Sequence, residues 1–133
     1  MAEKPIPRPY QDTQPYWDAA KEHRLVLQRC QDCSKHQFYP RGVCSHCLSS
    51  KLEWVEASGR GIVHTYTVCY RAPHPGFGND VPYVLAMVEL AEGPRMMTNI
   101  IGCKPETVRI DMAVKVVFDD VTPEVAVPKF TPA

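Results

Sequence analysis

The chain has 133 residues, enough for one ordinary domain or two small ones. Its 15 basic and 15 acidic side chains cancel, and no apolar run approaches the ~20 residues that span a bilayer. Thirteen prolines argue for short elements and against a helical bundle, and Met1 to Pro9 carries no apolar signal core, so a soluble cytoplasmic protein is expected.

Residues 1–14 are Pro-rich and polar and read as an extended arm, either a disordered tail or a segment lying across a partner. Residues 15–24 predict a short helix, with Pro15 in its first turn and Thr13 or Gln14 as cap. Tyr16, Ala19, Ala20 and His23 share one face by three-and-four spacing. A helix this short is unstable alone, so Tyr16 and Trp17 must pack on something. Two supports are open, the following ribbon or another subunit.

Residues 25–29 predict a strand that feeds Cys30-Gln-Asp-Cys33. Ten residues later comes Cys44-Ser-His-Cys47, and residues 51–56 predict a strand leaving it. Each Cys-x-x-Cys folds into a tight knuckle with both sulfurs on one side. Two knuckles together make a tetrahedron of thiolates, which suits zinc. Iron uses the same four ligands, and spacing alone does not separate the two. A redox pair would need a βαβ context, which is absent here, and disulfides would need an exported chain. Four protein ligands leave no open position, so Cys30, Cys33, Cys44 and Cys47 are expected to hold a fold and not to catalyse. With four cysteines at hand, His36 and His46 are expected to face solvent.

A second module starts at Ser58-Gly59-Arg60-Gly61. Residues 62–70 alternate as a strand, with Ile62, His64, Tyr66, Val68 and Tyr70 on one face and Val63, Thr65, Thr67 and Cys69 on the other. A turn-rich loop, 71–80, follows. Further strands are predicted at 83–90, 96–101, 114–118 and 125–130, with a helical turn at 104–109. The fold class is therefore mainly β: a short N-terminal helix, a rubredoxin-like zinc ribbon and a five-stranded OB-fold barrel. The expected divisions are an arm at 1–14, helix plus ribbon at 15–57 and barrel at 58–133.

These residues resemble a known family. The features that carry the likeness are the Pro-Tyr-Trp helix, the two Cys-x-x-Cys pairs around Phe-Tyr-Pro-Arg, Ser58 to Gly61, and the stretch from Pro82 to Gly93. Together they resemble the acyl-CoA-associated zinc-ribbon/OB-fold family, catalogued as domain of unknown function thirty-five, across residues 15–132. His23 and Asp111 stand where members often carry glycine. The resemblance implies a non-catalytic accessory or scaffold subunit that binds a thiolase-superfamily enzyme and supports conversion of aromatic or branched acyl-CoA. Zinc would be structural, and coenzyme A thioester would be met through the partner.

The other common use of these folds is nucleic-acid binding. Residues 21–51 carry six basic and two acidic groups, and residues 52–133 carry seven and ten. The barrel thus lacks the positive groove that phosphate binding needs, and the enzyme-partner reading is preferred. The basic surplus on the ribbon, Arg41 included, offsets thiolate charge, meets an acidic partner face or coenzyme A phosphate, or is merely solvated. Tyr16, Trp17, Arg41, His74 and Phe77 are the expected partner or coenzyme contacts, with Phe77 exposed at the tip of the 71–80 loop or that loop simply mobile. No catalytic residue is expected. His64 lacks a nucleophile or paired acid, and Cys69 and Cys103 read as buried small hydrophobes.

Overall fold

The computed structural model describes residues 3–133, so the first two residues of the expected arm lie outside the described residues. Helix α1 spans Gln14–Lys21. A three-stranded antiparallel ribbon follows, ordered β2 (His36–Gln37), β1 (Val26–Cys30), β3 (Leu52–Glu56). The barrel is built from β4 (Arg60–Cys69), β5 (Tyr83–Leu90), β6 (Arg95–Ile100), β7 (Ala113–Asp120) and β8 (Ala126–Pro132). It closes in the order β4-β5-β6-β8-β7, with β7 back on β4. Every ladder is antiparallel except the contact of β6 with β8 at Ile100 and Phe130. The helical insert expected at 104–109 is a single 3-10 turn, Pro105–Thr107, whose next residue, Val108, is fully buried.

The helix stops at Lys21, three residues earlier than expected, because His23 takes a left-handed conformation with φ 61°. Arg24 N–H then reaches back to Ala19 O and His23 N–H to Ala20 O, the paired bonds of a Schellman stop. Glycine is the usual residue at that position. Tyr16, Ala19 and Ala20 are buried as expected, but His23 turns to the barrel. It stacks on Phe118 at 5.3 Å, and its Nε2 donates to Asp120 at 2.8 Å. Asp111, the second position where the resemblance leads one to expect glycine, is also left-handed, at φ 66°. Replacing Asp111 with glycine should therefore raise stability slightly, by about 0.5 kcal/mol once glycine's extra chain entropy is set against the relieved strain. A urea midpoint that falls instead would show that the aspartate holds the turn.

The faces expected for β4 are corrected by a bulge. Val63 pairs with Val88 and Thr65 with Met87, so His64 is the extra residue. Backbone bonds to Met112 and Asp111 engage Val63 on its other side. The bulge shifts the alternation by one. Val63 is fully buried, Tyr66 and Val68 pack against the same core, and His64 is exposed.

One buried cluster runs through the whole molecule. It joins Tyr16, Ala19, Leu25, Val26 and Leu27 of helix and ribbon to Val63, Val88, Val114 and Phe130 of the barrel. Between them, Ser58 to Gly61 makes the turn from β3 to β4. Gly59 has φ 79°, and a Cβ there would meet Val116 Cγ1 at 2.5 Å, so this turn has no room for a side chain. Residues 3–10 have no regular structure, and Glu3 and Lys4 lie against this chain's own 71–80 loop. Lys4 Nζ meets Asp80 at 2.6 Å, and the Glu3 carbonyl passes 2.7 Å from where a Gly76 Cβ would stand. Phe77, expected to be exposed at the loop tip, is half-buried for that reason, with Lys4 over its ring and His74 at its edge. Among the described residues no helix is long and apolar enough to cross a membrane.

Candidate metal centre and the adjoining trough

The four cysteines are brought together by two knuckles of matching geometry. Ser34 N–H bonds Cys30 O and Leu48 N–H bonds Cys44 O, at 2.9 and 3.0 Å. Cys30 N–H bonds Lys35 O and Cys44 N–H bonds Ser49 O. The residue after each second cysteine is left-handed, Ser34 and Leu48 both at φ 65°. In each knuckle a backbone N–H donates to the first sulfur: Cys33 N to Cys30 Sγ at 3.4 Å and His46 N to Cys44 Sγ at 3.3 Å. Such donors favour the thiolate form.

The sulfurs of Cys30, Cys33, Cys44 and Cys47 all lie within 4.8 Å of one another. Cys30 to Cys47 and Cys33 to Cys44 are each 3.6 Å apart. A tetrahedron with zinc–sulfur bonds of about 2.3 Å has edges of about 3.8 Å, so the cluster has the size such an ion requires. The protonation pattern points the same way. The bond from Cys33 N–H, chiefly, pulls the Cys30 thiol down to about 6. Ser49 N–H also favours the Cys47 thiolate, yet burial and three neighbouring sulfurs push that thiol up to about 12. Four thiolates cannot form here without a counter-charge, and a divalent cation supplies it. Neither His36 nor His46 joins the ligand cluster.

A buried polar network positions the second knuckle. Gln28 and Gln37 lie opposite each other on β1 and β2, each 4% exposed. Gln37 Nε2 donates to Gln28 Oε1 at 2.7 Å. Gln28 also accepts from Arg41 N–H and donates to Arg41 O, both at 2.8 Å. Gln37 accepts from Ser45 N–H at 2.7 Å and donates to Val43 O at 3.2 Å. Both amides are thus spent on the strand of chain that carries Cys44. Sequence reasoning missed the pair, since glutamine on a short strand ordinarily faces water. Gln28→Ala should cost about 2–3 kcal/mol through the unpaired groups it leaves behind, and should speed metal loss to a chelator. A variant with wild-type urea midpoint and chelation rate would contradict this role.

The expected contact residues fall into two places. Tyr16 is only 3% exposed and forms the hub of a ring cluster with Trp17, Phe38 and Tyr39, at 5.1 to 5.7 Å. It therefore supports that surface and does not itself present a face to a partner, and burial pushes its phenol above the usual range. Trp17 is half-buried and donates from Nε1 to Tyr39 Oη at 2.9 Å. Arg41 is exposed, with its backbone pinned by Gln28. His74 and Phe77 sit on the barrel loop beneath the arm. His74 uses Nδ1 to accept from Gly76 N–H at 2.9 Å. The aspartates at loops and strand ends have structural partners: Asp80 with Lys4, Asp119 with Lys129 and Asp120 with His23. Cys69 and Cys103, expected to be buried, are only half-buried.

Beside the metal knuckles lies a trough of about 500 Å³, open on one side. Its ribbon wall includes Lys35, His36, Phe38 and His46, and its barrel wall is the β5–β6 turn with Glu92 and Arg95. Glu92 Oε2 accepts from Ser58 N–H at 2.8 Å, which ties that turn to the start of the barrel. Its other oxygen, Oε1, is buried with no hydrogen-bond partner among the described residues. The segments that carry the family resemblance therefore meet here: both knuckles, Ser58 to Gly61, and the end of the Pro82 to Gly93 stretch.

Comparison with known proteins agrees with this architecture. Residues 17–53 match the family model described as the ChsH2 rubredoxin-like zinc ribbon domain, and residues 54–119 match the ChsH2 C-terminal OB-fold domain. A probable enoyl-CoA hydratase alpha subunit from Thermomonospora curvata is 41% identical over 98% of this chain. The chain spans only 40% of that relative's length. A DUF35 domain-containing scaffold protein from Methanocaldococcus jannaschii is 40% identical over 77% of this chain and 73% of its own. Among solved structures, a chain of the Ltp2-ChsH2(DUF35) aldolase is 40% identical and superposes with TM-score 0.85, over 96% of this chain and 98% of that one. With the cysteine cluster and the closed barrel already in place, these likenesses show that the chain belongs to the ChsH2/DUF35 family, whose members join a rubredoxin-like zinc ribbon to an OB-fold barrel.

Proposed function

We propose that this chain is an accessory scaffold subunit that binds a thiolase-type enzyme and supports carbon–carbon bond chemistry on an acyl-CoA. The observation that carries the reading is the near full-length likeness to the DUF35 chain of the Ltp2-ChsH2 aldolase, at 40% identity. Two features of the molecule support it. The cysteine cluster has all four positions taken by protein, so a zinc ion there holds structure and offers no site to a substrate. Asp80, Asp119, Asp120, His23 and His74 are engaged in holding loops and strands. Ring and guanidinium groups of the kind that anchor interfaces lie on the ribbon surface, in Trp17, Tyr39, Arg41 and Trp54. Coenzyme A thioester would be handled chiefly by the partner.

A second reading keeps the same role with a hydratase-type partner, and the likeness to the enoyl-CoA hydratase alpha subunit favours it. The test is co-expression with thiolase-type and hydratase-type enzymes from the same genome, followed by size-exclusion chromatography and acyl-CoA turnover. The proposal expects a stable complex with the thiolase-type enzyme and turnover that rises when this chain is present. Co-elution with the hydratase alone would select the second reading, and no complex with either would overturn both.

A further inference from the structure

We propose that Cys47 is a modification site, the sulfur at which hydrogen peroxide oxidises the zinc thiolate cluster, and that a disulfide to Cys30 then opens the ribbon. This holds whichever enzyme the chain binds. Two independent differences among the four sulfurs select Cys47. The first is access. Cys30 and Cys44 have no exposed surface, Cys33 is half-buried and Cys47 is exposed. Ser45, His46 and Leu48 beside it are exposed as well, Leu48 by 77%, so the tip of this knuckle lies open to solvent. The second difference is hydrogen bonding. Cys30 Sγ accepts from the N–H groups of Asp32 and Cys33, and Cys44 Sγ from those of His46 and Cys47. Cys33 Sγ accepts only from Lys35 N–H, and Cys47 Sγ only from Ser49 N–H. Each donor draws charge from a thiolate and lowers its nucleophilicity. Cys30 and Cys44 are thus shielded by burial and by donors. Cys33 has a single donor but is partly covered. Cys47 combines a single donor with open access, the combination that favours oxidation.

The chemistry runs in two steps. The Cys47 thiolate attacks one peroxide oxygen, the O–O bond breaks and hydroxide leaves. The sulfur is oxidised to a sulfenic acid as the peroxide is reduced. Cys30 Sγ stands 3.6 Å from Cys47 Sγ. Its thiolate attacks the sulfenic sulfur, the S–O bond breaks and a second hydroxide leaves. Each hydroxide takes a proton from solvent, so one peroxide gives one disulfide and two waters. The cluster is then short of two thiolates, and with them of the ligands and charge that hold a divalent cation. Cys69 and Cys103 are half-buried and lie outside the cluster, so their oxidation leaves the metal in place.

The experiment treats the zinc-loaded full chain with hydrogen peroxide and follows zinc release with a chromogenic chelator. One arm includes a 1,3-dione that traps sulfenic acids, and mass spectrometry maps the label and the disulfides. The dione should label Cys47 first, and without it the bridge should join Cys47 to Cys30. Cys47→His keeps a zinc-binding set of three sulfurs and one nitrogen, and should slow release about tenfold or more. Cys33→His should release zinc within about threefold of the wild-type rate, because the reactive sulfur remains. A chain with Cys69→Ser and Cys103→Ser should behave as the wild type. Label that appears first on Cys30, Cys33 or Cys44 overturns the inference. So does zinc retained while Cys69 and Cys103 are oxidised. A bridge from Cys47 to Cys33 or Cys44 overturns the second step. The map of the wild-type chain decides the matter even where a histidine variant fails to hold zinc.

Discussion

Replacing Cys44 with serine is expected to remove the metal and unfold the ribbon. Cys44 is fully buried, and its sulfur receives a backbone N–H from His46 at 3.3 Å. Structural zinc contributes about 10–16 kcal/mol of apparent binding energy in small cysteine sites, so most of the ribbon's stability is tied to the four sulfurs. The ribbon has little else of its own. Its middle strand pairs with a β2 of two residues on one side, and both knuckles are irregular backbone. The loss should spread, because Leu25, Val26 and Leu27 belong to the same buried cluster as the barrel. Elemental analysis should find about one zinc per wild-type chain and close to none in the variant. The thermal midpoint should drop by roughly 10 °C or more. A variant that keeps its midpoint would show that apolar packing alone holds the ribbon.

Phe130→Ala should cost about 3–5 kcal/mol, the usual range for a large ring removed from a packed core. Phe130 has no exposed surface and sits where the barrel closes. It lies opposite Val116 on β7 and Ile100 on β6, and Ile101 N–H bonds its carbonyl at 2.8 Å. A cavity there would loosen the only parallel contact among the described strands, where β6 meets β8. Tyr70→Ala serves as the control, since that ring is 73% exposed and should change stability by less than about 0.5 kcal/mol. Urea unfolding followed by circular dichroism separates the two. Equal midpoints would mean that the barrel is held by its hydrogen-bond ladder and not by its core.

Much of this fold is legible in the residues. The cysteine spacing announces the ribbon because metal geometry is rigid and local. The barrel strands are legible because inward residues such as Val84, Ala86, Val88 and Leu90 alternate without a break. What stays hidden depends on contacts distant in sequence. The bulge at His64 is set by backbone bonds from Val63 to residues 111 and 112, so a strict period of two inverts the inner residues of β4. The Gln28–Gln37 pair is invisible because nothing in a strand sequence says which loop will cross it. The arm's path over Gly76 is equally silent, and it overturns the expectation of an exposed Phe77. His23 and Asp111 are an intermediate case. Their departure from glycine points to a special turn, and both prove to be left-handed. The expected surface role of Tyr16 fails for a simple reason: a ring at the third position of a buried helix face packs inward, and Trp17 beside it takes the outer place.

The most direct test compares the zinc-loaded chain with the chelator-stripped chain for binding to the co-expressed thiolase-type enzyme, by light scattering on a sizing column. The account predicts that the loaded chain elutes as a defined complex, that the stripped chain elutes apart from the enzyme, and that added zinc restores the complex. Equal association of loaded and stripped chains would contradict it.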